Sequence, residues 1–125
     1  MKIPQDLKYT KDHEWVRIEG DEATIGITDF AQSELGDIVY VEVETVDETL
    51  EQEAVFGTVE AVKTVSDLFL PVSGLIVSFN EQLEDTPELV NEDPYGEGWI
   101  IKIKLDDLTQ IDSLLTSQGY QSIIS

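Results

Sequence analysis

Cysteine is absent from the 125 residues. No disulfide can staple the chain, no thiolate can hold a metal, and no protein-borne dithiol can cycle between redox states. Any sulfur redox chemistry must therefore come on a cofactor. Positive charge is nearly as scarce, with 7 Lys and Arg against 27 Asp and Glu and a formal net charge of -20. Nucleic-acid binding needs clustered Lys and Arg that displace counterions, and an anionic membrane surface makes the same demand. Neither nucleic acid nor membrane is an expected partner. No apolar run approaches the length of a bilayer span, and the opening Met1-Lys-Ile-Pro-Gln-Asp6 has neither a signal-peptide apolar region nor an Arg-rich leader. The expectation is a soluble, cytoplasmic protein acting as a monomer. His13 is the only histidine. Without a second His or any Cys, a transition-metal site would rest on carboxylates alone, so no metal is expected and His13 reads as structural. Gly96-Glu97-Gly98 runs into strand-like sequence rather than a helix, which leaves no phosphate-cradling loop.

What remains is a chain with 41% apolar residues and the length of one domain, residues 1–125. Trp15-Val-Arg-Ile18 and Ala23-Thr-Ile-Gly-Ile27, joined by Glu19-Gly-Asp-Glu22, predict a first hairpin. Thr28 as cap, Asp29 at the positive end of the dipole, Phe30, Ala31 and Leu35 on one face, and Gly36 as terminator predict a helix of about two turns. Asp37 to Glu44 alternates, with Val39, Val41 and Val43 on one face of a half-buried strand. Thr45 to Glu53 is acidic, with no Gly or Pro to mark its turns. Leu75, Val77 and Phe79 share one face of another strand. Thr86-Pro-Glu-Leu-Val-Asn91 predicts a helical turn, and Trp99, Ile101, Ile103 and Leu105 predict a last strand with an apolar face. Leu108, Ile111, Leu114 and Leu115 then recur at helical spacing and Tyr120, Ile123 and Ile124 continue it, so a C-terminal helical tail is expected at about 107–125. Many short strands between turn signals predict a mainly β fold: two packed antiparallel sheets or a flattened barrel, with short helices and a C-terminal helix.

One stretch organises the functional reading. Lys63 is the only Lys or Arg between Arg17 and Lys102, a span crowded with carboxylates. An amine so isolated points to chemistry on the amine itself. Val55 to Val62 alternates before it and Leu68-Phe-Leu70 follows it, so Lys63 is expected to project from a polar hairpin tip. Glu60 and Asp67 flank it. Their charge favours the protonated amine, and a modifying enzyme can read them as part of the tip; for Glu60 an ordinary solvated acid is the competing reading.

Gly57-Thr-Val-Glu-Ala-Val-Lys63-Thr-Val-Ser-Asp67, followed by Pro71-Val-Ser-Gly74, resembles the lipoyl-attachment hairpin of the glycine cleavage system H proteins. Asp12-His-Glu-Trp15, Ala23-Thr-Ile-Gly-Ile-Thr-Asp29 and Leu89-Val-Asn-Glu-Asp-Pro-Tyr-Gly-Glu-Gly-Trp99 resemble that family's patterns in the family's order. The resemblance implies a barrel-sandwich hybrid fold and a carrier that is not itself an enzyme, with no catalytic residues. Lipoate would be attached to Lys63. The implied partners are a pyridoxal phosphate glycine decarboxylase, a tetrahydrofolate-dependent aminomethyltransferase and an FAD dihydrolipoamide dehydrogenase. A lipoate ligase or octanoyltransferase would load the arm. The resemblance also implies that the aminomethyl-loaded arm, which ends in an ammonium group, docks between acids at positions matched by Glu14 and Asp67, with Asp12 at a position that is serine in some members. Four other readings remain open. A biotinyl carrier usually sets its lysine between methionines, whereas Val62 and Thr64 flank this one. A Schiff-base enzyme needs a lysine of depressed pKa, and surrounding acids act the other way. A lipoate-relay carrier and an unmodified interaction module are the others.

Overall fold

The computed structural model describes residues 1–125. In chain order the strands are β1 (Lys8–Tyr9), β2 (Glu14–Glu19), β3 (Glu22–Ile27), β4 (Ile38–Glu42), β5 (Thr49–Leu50), β6 (Val55–Ala61), β7 (Val65–Phe69), β8 (Gly74–Phe79) and β9 (Ile101–Leu105). The helices are α1 (Asp29–Leu35), α2 (Gln82–Asp85), α3 (Leu89–Glu92) and α4 (Ser117–Ile124), with a 3-10 turn at Leu108–Ser113. Six strands form one sheet in the order β1-β2-β3-β9-β8-β5, and three form a second in the order β4-β6-β7. Each pairing is antiparallel. The expected two antiparallel sheets with short helices and a C-terminal helix are present, and the sheets do not close into a barrel.

The core lies between the sheets. Ile25, Ile76, Ile101 and Ile103 of the larger sheet meet Ile38, Val41, Val59 and Leu68 of the smaller one in one buried cluster. A second cluster is aromatic: Tyr9, Trp15, Tyr95 and Tyr120 gather with Leu7 beneath β1. Trp15 satisfies its indole by donating to the Pro94 carbonyl at 2.9 Å. No helix is long and apolar enough to cross a membrane.

Three local readings change. The alternation expected along Asp37–Glu44 breaks at a bulge between Ile38 and Tyr40. Val41 stays buried, but Val39 is 46% exposed, because the extra residue shifts the strand's inward face. On β8 a register shift between Ile76 and Ser78 parts Phe79, which packs on the core, from Leu75 and Val77, which stand exposed, while Ile76 fills the core. The tail beyond Asp107 is two pieces rather than one helix: Leu115 leaves helical geometry to exchange hydrogen bonds with Tyr9, at 2.8 and 2.9 Å. That pairing satisfies part of the open edge of β1, a gain that helical spacing in Leu108–Leu115 cannot reveal.

Candidate functional site

The β6–β7 hairpin ends in Val62-Lys63-Thr64. It is closed by the Ala61 amide donating to the Thr64 carbonyl at 2.7 Å, and anchored by the Val62 amide donating to the Asp37 carbonyl at 3.1 Å. These bonds hold the backbone while the side chains stand in water: Val62 is 72% and Val65 62% exposed, and Lys63 is exposed between them. The Lys63 stem runs over Gly36, the left-handed residue (φ +84°) that ends α1. A β-carbon at Gly36 would make ordinary van der Waals contact with Lys63 Cε, at 3.7 Å. Glu60 pairs across the sheet with Tyr40 on one side and Val65 on the other, all three exposed.

Beside the hairpin, between α1 and β7, lies a cleft of about 420 Å³. Phe30, Ala31 and Leu35 of α1 form one apolar wall, and Val59 and Leu68 of the smaller sheet face them. Asp12, Glu14 and Asp67 all line it, as do His13, Glu34 and Ser66. The structure thus brings together the three acids singled out for arm docking and leaves Glu60 outside the cleft.

Glu14 is the unusual member, a carboxylate only 2% exposed. Its Oε1 accepts from the Thr10 hydroxyl at 2.8 Å and its Oε2 from the Phe69 amide at 3.1 Å. Burial pushes its pKa up to about 7, with Asp12 and Glu53 adding repulsion and the bonds from Thr10 and Phe69 opposing the shift. Glu14 and Asp12 also border a second cavity, of about 350 Å³, that opens toward Gln52, Pro71 and Leu114.

His13, read from sequence as structural, is part of the cleft lining. Burial lowers its pKa, against the pull of Asp12 and Glu34, so the ring is biased toward its neutral form. Glu34 was not singled out from sequence, although it shares α1 with the apolar wall residues. A cleft with an apolar wall and carboxylates among its lining residues can hold an extended chain that is apolar along its length and cationic at its end.

A family model for the glycine cleavage H-protein matches residues 7–125. The chain is 57% identical over 125 residues to a glycine cleavage system H protein of Bacteroides fragilis, covering 100% of this chain and 99% of the relative. It is 54% identical over 124 residues to one of Staphylococcus carnosus, covering 99% and 98%. Among solved structures, the crystal structure of a glycine cleavage system H protein from Mycobacterium marinum superimposes with a TM-score of 0.84 at 40% identity, covering 96% of this chain and 97% of that one.

Proposed function

The chain belongs to the glycine cleavage H-protein family, and from that premise we propose that Lys63 is the residue on which it carries its lipoyl group and that the cleft between α1 and β7 shelters the loaded arm. Its role is that of a lipoyl carrier in the glycine cleavage system. The observation that carries the site assignment is the placing of one exposed lysine, on a rigid hairpin, next to an apolar cleft floored by a buried carboxylate.

The residues fit the group. The Lys63 amine stands free for acylation, and the walls made by Phe30, Leu35 and Leu68 suit a hydrocarbon arm with a sulfur ring. Lipoate, once attached, supplies a disulfide that accepts the aminomethyl group of glycine and later gives it up. The chain's own part is to hold, shield and release. Tethering keeps the cargo at high local concentration wherever the hairpin is presented. Burial gives Glu14 a pKa of about 7, so a cationic group brought against it would favour the ionised form, with the proton released to water and a charge-assisted hydrogen bond gained. Asp67 and Asp12 add charge of the same sign. On this reading the protein catalyses nothing itself. It serves in turn a pyridoxal phosphate decarboxylase, a folate-dependent aminomethyltransferase and a flavin dehydrogenase, after a lipoate ligase or octanoyltransferase has loaded it.

Peptide mass mapping after incubation with lipoate and a ligase is expected to place the lipoyl amide on Lys63. Lys63→Arg should fold normally and remain unmodified, since a guanidinium keeps the charge but offers no amine to acylate. Lipoate found on another lysine would overturn the assignment. The docking half of the proposal is tested by Glu14→Gln together with Asp67→Asn, which should still be lipoylated but should lose aminomethyl cargo faster in the absence of the folate enzyme. An unchanged rate of loss would mean that these acids do not hold the arm.

A further inference from the structure

Tyr120 stands on α4, outside the cleft, yet its hydroxyl is 2.7 Å from Thr28 Oγ1 and 2.9 Å from His13 Nδ1. Both neighbours belong to the cleft's frame. Thr28 Oγ1 also accepts the Ala31 amide at 3.1 Å and so caps α1, the helix that supplies the apolar wall. His13 lines the cleft, and its ring meets Phe30 of that wall at 4.9 Å between centroids. One arrangement of protons satisfies every group. Thr28 accepts from Ala31 and donates to Tyr120, and Tyr120 donates to a neutral His13 whose own proton is on Nε2.

Further contacts hold this chain in place. The Tyr120 ring is fully buried and stacks on Tyr9 at 4.8 Å, with 9° between planes. The Thr28 amide donates to the His13 carbonyl at 3.0 Å, so backbone and side chain tie the same two residues together. His13 itself has φ +71°, a left-handed conformation that a β-carbon disfavours and that persists only where its surroundings over-determine it. Such an investment of contacts behind a cleft wall has a use if the wall's position matters.

We propose that Tyr120 is a positioning residue for cargo retention: by joining His13 to Thr28 it fixes the wall on which the loaded arm rests, so the C-terminal helix governs how well the cleft shelters its cargo. This rests on the docking reading above and names a residue remote from the arm.

The test is Tyr120→Phe in the full chain, which keeps the stack on Tyr9 and removes only the hydroxyl. In the unlipoylated protein, burial still holds the His13 pKa below the ordinary imidazole value, but NMR titration should find it higher than in the unmutated protein, because the neutral ring loses the hydroxyl that donates to it. In the loaded protein, cargo loss without the folate enzyme should rise roughly three- to tenfold, the range that one buried hydrogen bond supports. Lipoylation of Lys63 should be unchanged. Cargo loss at the unmutated rate, or faster loss with no movement of the His13 titration, would overturn the proposal. Should Tyr120→Phe fail to fold, His13→Asn carries the same cargo test, since asparagine tolerates the left-handed backbone but is too short to bridge Tyr120 and Phe30. If Glu14→Gln with Asp67→Asn leaks and Tyr120→Phe does not, only this inference falls; if neither leaks, the docking reading falls with it.

Discussion

At the scale of single residues, Glu14 makes stability depend on pH. Its pKa is raised from 4.5 to about 7 in the folded chain. Between those two values the folded protein keeps a proton that the unfolded chain has released, so stability falls as pH rises through that window and levels off above it. A shift of that size corresponds to about 3 kcal/mol. Urea melts are therefore expected to show the unmutated protein losing stability from pH 5 to pH 8. In Glu14→Gln this component should vanish, since the amide can still accept from Phe69 and meet Thr10 without carrying charge. Parallel pH profiles for the two proteins would show that Glu14 ionises freely. A cleft that would be more stable without its carboxylate is consistent with a group kept for a ligand. The sequence makes Lys63 legible, because isolation among acids can be seen in one dimension. It does not make Glu14 legible as a buried acid. Asp12-His13-Glu14 looks like a solvated turn, and the amide that receives its carboxylate, on Phe69, is 55 residues away.

Among the elements, those fixed by short-range rules are the ones the sequence announces. The β2–β3 hairpin turns at Gly20 with φ +66°, and α1 runs from the Thr28 cap to Gly36 as the residues predict. The failures share a cause, which is a long-range partner overriding a local period. Val39 is displaced by a bulge against β6 and Leu115 is claimed by Tyr9. α2 goes unannounced for a different reason, since it carries a single buried apolar residue, Leu83, too little to show a period. In Thr45–Glu53 the absence of glycine hid two turns, because Asp47 and Glu53 themselves adopt positive φ. The most demanding fit between elements is across β2 and β3, where Trp15 lies opposite Gly26. A β-carbon on Gly26 would come within 2.7 Å of the indole ring. Gly26→Ala must push the ring off its place and off the Pro94 carbonyl, and is expected to cost about 1–3 kcal/mol by overpacking. Equilibrium unfolding measures the loss, and near-ultraviolet circular dichroism should show the tryptophan signal altered. A variant as stable as the parent would mean that the indole can shift without cost.

For the whole molecule, the governing quantity is the net charge of -20 on a 125-residue chain. The acids are spread over the surface: Glu19 and Glu22 at one hairpin, Glu42 at the end of β4 and Glu44 just beyond it, Glu81, Glu84 and Asp85 around α2. Folding brings them closer together than the unfolded chain does, so self-repulsion weakens the compact state. Salt screens exposed charges over about 10 Å at 0.1 M, so raising sodium chloride from low to moderate concentration at pH 8 should raise the melting temperature. Mild acidification should act in the same direction, because the more strongly repelled folded state takes up protons more readily than the unfolded chain. Glu14 contributes to that slope as well, and the two can be separated. Being buried, it is little screened, so salt should shift Glu14→Gln and the unmutated protein equally, whereas acidification should stabilise the unmutated protein more. A melting temperature that fell with added salt would mean that favourable ion pairs outweigh repulsion. The surplus acidity would then be a stabilising feature of the fold rather than a cost to it.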